Sequence, residues 1–212
     1  MIDFLTHIYM RGSEPFRSLS ALCDEEALQI MQGLYVEGSA YWDRFKDPQD
    51  YLQARRQTER WLHQSFIAKG GKPQQAYPIY FVVGNPPWLD RVADRATIAS
   101  TDKIQVPVSI FDEGDISFTY PDSMITLLLE NLKNPEFYQP DYHGRLFTLA
   151  EMRVIVALKG LPDEGWETKV PDDLAHYIEA QVWNRQPLLE FMRQRQIDEF
   201  TAAKPGKILP NP

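Results

Sequence analysis

The middle of the chain constrains the fold most. Tyr77 to Gly84 (YPIYFVVG), Ile104 to Phe111 (IQVPVSIF) and Ile116 to Tyr120 follow one another, each with the β-branched and aromatic content of a strand. Pro107 lies in the second run. A proline cannot donate to a ladder, so that run belongs at a sheet edge. Phe4 to Met10 reads as an opening strand and Arg145 to Phe147 as a short late one. Strands and helices do not alternate strictly. The pattern therefore gives an α+β domain with a mixed or antiparallel sheet.

The helices are read from caps and stripes. Residues 24 to 34 carry Asp24 as an N-cap, Glu25 and Glu26 at the positive end of the dipole, and Leu28, Met31 and Leu34 on one stripe. A long helix spans 47–69, with Asp47 as cap, Pro48 in the first turn and Gly70-Gly71 at its end. Arg55, Arg56 and Arg60 lie off its apolar stripe. They read as a solvated face paired with Glu59 and nearby acids, or as an anion-binding patch. Asp122 can cap a helix carrying Met124, Leu127, Leu128 and Leu132. Thr148 to Glu151 forms a capping box for a helix that ends at Gly160. A helical C-terminus runs from about Asp172 to Phe200, broken near Pro187. Residues 134–143 read as an ordered loop. Residues 1–201 form a single globular domain, and 202–212 a flexible tail.

Composition sets limits on function. Lys plus Arg is 22 and Asp plus Glu is 30, a net charge of -8 that argues against duplex nucleic acid as a partner. One cysteine excludes an internal disulfide framework and any multi-Cys metal site, and a lone thiol fits a reducing compartment. The four histidines (His7, His63, His143, His176) show no clustered ligand spacing, so no metal is expected. No run reaches the ~20 apolar residues of a membrane helix, and MIDFLTHIYMRG does not read as a signal peptide. The expectation is a soluble cytoplasmic protein that does not enter membranes.

Several polar clusters sit at element ends. Asn85-Pro86-Pro87-Trp88 follows a buried-looking strand and resembles the catalytic loop of amino-methyltransferases, which implies S-adenosylmethionine. With eleven glycines and no G-x-G, the chain lacks the matching cofactor loop. The other reading is a strand end with Trp88 as anchor. In the first strand His7, Tyr9 and Arg11 share one face and Thr6, Ile8 and Met10 the other. The first set can line a cleft, or face solvent on an edge strand. Around Ser117 to Ser123 a strand, a proline turn and a helix start bring together Thr119, Tyr120, Asp122 and Ser123. They form a plain cap or a cap plus a site. Tyr142-His143-Gly144 is a second cluster, with Gly144 expected at positive φ.

These motifs, FVVGNPPWL, IQVPVSIF, SFTYPDSM and YHGRLFTLAEM, occur in an order that resembles an uncharacterised family of bacterial proteins. The resemblance covers residues 77–160, implies that these loops matter, and transfers no reaction or cofactor. Two functions are compatible with the residues. One is a small-ligand-binding or enzymatic domain, with a nucleotide-handling transferase as a concrete version. Its cleft is built from the 85–88, 119–123 and 142–144 loops. His143, Tyr120 and Asp122 are its catalytic candidates. His7, Tyr9, Arg11, Trp88, Thr119, Ser123 and Tyr142 are its binding candidates, and Asp122 is expected to orient His143. The other is a non-catalytic interaction or self-associating domain, including a homodimer, using Trp42, Trp166, Trp183 and the tyrosines near 138–142. A deep polar pocket favours the first and a flat exposed aromatic patch the second.

Overall fold

The computed structural model describes residues 1–39, 41–93, 95–162 and 177–202. Of the expected tail 202–212, residues 203–212 lie outside them and Ala202 closes a helix; Trp166 and residues 172–176 of the expected C-terminal helix also lie outside them. Among the described residues six strands form one antiparallel sheet, ordered β3-β1-β2-β6-β4-β5. They are β1 Phe4–Met10, β2 Ile79–Val83, β3 Thr101–Pro107, β4 Ile116–Thr119, β5 Phe147–Thr148 and β6 Glu179–Val182. The helices are α1 Asp24–Leu34, α2 Pro48–Ala68, α3 Pro87–Val92, α4 Arg95–Ser100, α5 Ser123–Leu132, α6 Leu149–Lys159 and α7 Gln186–Ala202. The α+β reading holds, with the sheet antiparallel rather than mixed.

The register divides the sheet into two unlike faces. Leu5 stands opposite Val83 and Val106, and Phe81 opposite Ala180, which itself stands opposite Phe118. These residues join Ile79, Ile104, Ile116 and Val182 in the main apolar core, closed by Leu149, Met152 and Val156 of α6 and Leu188 of α7. The other face alternates with it and is largely polar: Thr6, Tyr80, Gln181, Glu179, Ser117 and Thr119 occupy facing positions. A sheet solvated on one side shows this alternation, but here Ser117, Thr119 and Gln181 are fully buried. Helix α2 packs against both α1 and α5. A smaller core of Ala27, Met31, Trp42, Phe45 and Leu52 joins α1 and α2 to the short turn at Asp43–Phe45.

Three expectations are corrected. The strand β1 is not an edge strand, because β2 and β3 flank it. The edge on that side is β3, where Pro107 sits at the strand end opposite Phe4. Residues 179–182, read as helix, form β6 in the middle of the sheet, and Pro187 lies in the first turn of α7, where its missing N–H costs no hydrogen bond. Asp24 is the first helical residue of α1 rather than its cap, and binds Arg56 at 2.6 Å. Asp47 stands at the N-cap of α2 without a side-chain hydrogen bond. The capping box at Thr148 and Glu151 is present in full.

Candidate functional site

Between the polar sheet face and the helices lies a cleft of about 710 Å³. It opens where β1 leaves β2. The two strands pair at Leu5–Val83 and Thr6–Val82; beyond that His7 takes over the ladder's hydrogen bonds. Its Nδ1 donates to the Tyr80 carbonyl at 2.8 Å, and the Phe16 N–H donates to Nε2 at 3.0 Å. These bonds fix the neutral tautomer. Burial lowers the His7 pKa to about 4, against the pull of the Tyr80 carbonyl. His7 is thus a main-chain staple, with no nitrogen left for a ligand.

The polar end of the cleft is the first turn of α5. Asp122 Oδ1 accepts the N–H groups of Met124 and Ile125 at 3.0 and 2.9 Å. Glu179 Oε1 accepts the Ser123 N–H at 3.1 Å and Gln181 Nε2 at 3.0 Å. Two carboxylates from separate elements therefore meet one helix N-terminus, where free N–H groups and the dipole favour negative charge. Behind Glu179 the donors form a line. Trp183 Nε1 donates to Ser117 Oγ, Ser117 Oγ to Gln181 Oε1, and Gln181 Nε2 to Thr119 Oγ1, at 2.9, 2.9 and 3.0 Å. Burial raises the Glu179 pKa to about 7, and the charge of Asp122 adds to the rise. Burial also raises Asp122, opposed by its backbone hydrogen bonds and by Arg44.

Tyrosines and arginines complete the walls. Tyr177 lines the cleft against Trp88, ring centroids 5.5 Å apart, and burial followed by Asp122 lifts its hydroxyl pKa. Tyr80 Oη donates to Glu59 Oε1 at 3.0 Å, and Arg55 lies over the Tyr80 ring at 4.5 Å while its Nε donates to Glu59 at 3.2 Å. Arg55 and Glu59 do pair, as the solvated-face reading had it, but Glu59 is fully buried. The remaining wall is mostly apolar, with Ile8, Met10, Leu22, Leu34, Phe45 and Leu89.

The other candidates scatter. Asp122, Ser123, His7 and Tyr9 line the cleft, whereas Trp88 lies behind Tyr177. Thr119 is buried beneath it as an acceptor for Gln181. Arg11 is exposed, binds Asp102 at 3.0 Å and borders a separate cavity of about 500 Å³. The His7, Tyr9 and Arg11 row, expected to line one cleft, therefore does not converge. Tyr120 and Tyr142 are buried edge to face, 5.8 Å apart. His143 is buried away from the cleft. The Gln139 N–H donates to its Nδ1 at 3.0 Å, burial lowers its pKa to about 4, and Glu130 rather than Asp122 is the charge that pulls it back up. The cleft is thus not built from the 142–144 loop. Gly144 does take positive φ, and a Cβ there would come within 2.5 Å of Glu130. In the NPPW loop Asn85 Oδ1 accepts Gln105 Nε2 at 3.1 Å, and Pro87 opens α3; the loop acts as a strand end. Trp42 and Trp183 are buried and offer no exposed aromatic patch.

Glu179, Tyr177, Tyr80 and Arg44 were not singled out from the sequence. The available signal was the alternation Ile178-Glu179-Ala180-Gln181-Val182-Trp183, a strand pattern with an acid on its polar face. Among the described residues no group of three or more acid, His or Cys side chains is arranged for a metal, and no helix is long and apolar enough to cross a membrane. Comparison with family models, curated proteins and solved structures finds no match.

Proposed function

We propose that the chain is an enzyme that performs general acid–base chemistry on a small, largely apolar molecule bound between the sheet and α1–α2. Glu179 exchanges the proton, Asp122 is the second carboxylate, and the Tyr177 hydroxyl orients the polar end of the substrate. The observation that carries this reading is the meeting of Asp122 and Glu179 at one helix N-terminus in the wall of a 710 Å³ cleft. Two acids in unlike environments take different protonation states, and a carboxyl that titrates near pH 7 can both give and take a proton there. The apolar walls supply binding area and keep water from the reacting end. The exposed thiol of Cys23 suits a reducing cytoplasm, which belongs to the same reading.

The test is an incubation of the protein with a small-molecule extract of bacterial cells, followed by mass spectrometry. At least one compound should be consumed by the wild type and spared by Glu179→Gln, with a rate loss of about 100-fold or more. Equal consumption by both proteins, or none by either, refutes the assignment.

A further inference from the structure

We infer that the molecule this cleft accepts is a monoanion, a carboxylate on an apolar body, and that Arg44 is the residue that selects it. The inference rests on the cleft as a small-molecule site and not on its acid–base chemistry.

Three arginines line the cleft, and two are neutralised in place. Arg17 pairs with Glu26 at 3.2 Å and Arg55 with Glu59 at 3.2 Å. Arg44 makes no hydrogen bond or ion pair among the described residues. It stands exposed at the mouth, its guanidinium 5.2 Å from the Phe45 ring centroid, 5.9 Å from that of Trp42 and 6.0 Å from that of Tyr51. The aromatic surround holds the guanidinium through cation–π attraction and leaves its N–H groups uncommitted.

The charges around it explain why it is left over. Asp122 senses the Arg44 charge, yet the two form no ion pair although both line the cleft. Asp122 is already held by two N–H groups of α5. A ligand entering here strips water from the Arg44 donors. A neutral ligand replaces those hydrogen bonds only with weaker, uncharged acceptors, and a cationic group offers them no acceptor. A carboxylate replaces them with charge-assisted ones in matching planar geometry. A single uncommitted positive charge matches one negative charge rather than two, which sets the carboxylate ahead of a phosphate dianion. The apolar walls from Ile8 to Leu34 take the body of the molecule.

Calorimetric titration with 4-phenylbutyrate and its neutral isostere 4-phenylbutanamide tests this. The acid should bind wild-type protein at least tenfold tighter than the amide. Arg44→Gln should reduce that ratio to within twofold of one while leaving amide affinity within twofold of wild type. Arg17→Gln, which removes an already paired arginine, should leave the ratio unchanged. Binding is read without turnover, so absence of turnover would leave this inference standing. Equal binding of acid and amide by the wild type overturns it. So does an Arg44→Gln protein that weakens both ligands alike, or the lack of any binding of the acid.

Discussion

Asp122 uses one oxygen to hold two main-chain donors and places its charge beside Glu179. These two roles separate by mutation. Asp122→Asn keeps an acceptor at the cap and should change stability little, whereas Asp122→Ala should cost about 1–2 kcal/mol, the loss of a well-made cap. Asp122→Asn should also lower the Glu179 pKa from about 7, because the Asp122 charge holds it up. Carboxyl-carbon NMR reads this directly. The His143 titration should not move, since Glu130 is its charged neighbour; a Glu179 curve unchanged by the substitution would show that the two acids do not sense each other. His7 makes a second case at this scale. A leucine there strands the Tyr80 carbonyl and the Phe16 N–H. At about 1–3 kcal/mol for each buried unpaired group, urea denaturation of His7→Leu should show a loss of roughly 2–6 kcal/mol.

Among the elements, β6 decides the site. It supplies Ala180 and Val182 to the core and Glu179 and Gln181 to the polar face. Its sequence is rich in Glu, Ala and Gln, which favour helix when read alone. The strand forms because both neighbours, β2 and β4, offer open ladders and an apolar floor for Ile178, Ala180 and Val182. That is tertiary context overriding propensity, and it explains why the acid of the site was not legible. Elements whose signal is local were legible: α1 from its stripe, α2 from Pro48 and Gly70, α6 from its capping box, and the cap at Asp122. His143 and Arg11 look equally polar in sequence, yet one is buried behind α5 and the other faces a different cavity, and only long-range packing makes that distinction. Gln181→Leu probes the element. It removes the donor to Glu179 and leaves the Ser117 O–H without its acceptor, while Ser117 Oγ still accepts Trp183 Nε1. The Glu179 pKa should rise further, because that hydrogen bond favours the charged form. Stability should fall by about 1–3 kcal/mol in the same denaturation assay. A Glu179 pKa that stays put would mean Gln181 serves packing alone.

For the whole molecule, the sheet separates an apolar face that holds the fold from a polar face that carries the ionisable cleft, and the two buried histidines and the cleft acid contribute opposite pH dependences. His7 and His143, both lowered from 6.5 to about 4, are neutral in the folded protein and protonated in the unfolded chain between those values. Each makes stability fall as pH drops through that window, by about 1.4 kcal/mol per pH unit. Glu179 works the other way. Its pKa is raised from 4.5 to about 7, so between those values the folded state holds the extra proton and stability falls as pH rises. Between pH 5 and 6 the two histidines outweigh the one acid. The wild type should therefore gain no more than about 1.4 kcal/mol per pH unit as pH rises, the raised pKa of Asp122 trimming it further. Glu179→Gln deletes the opposing group, and its slope should be steeper than the wild type's by about 1.4 kcal/mol per pH unit. Above pH 7, where wild-type Glu179 is charged in both states, the variant should be the more stable protein, by at most about 3 kcal/mol because the half-buried carboxylate keeps some solvent screening. Urea titrations from pH 5 to 8 on both proteins measure slope and offset together. Parallel lines would show that Glu179 titrates as an ordinary carboxylate, and would remove the physical basis for placing proton transfer at the head of α5.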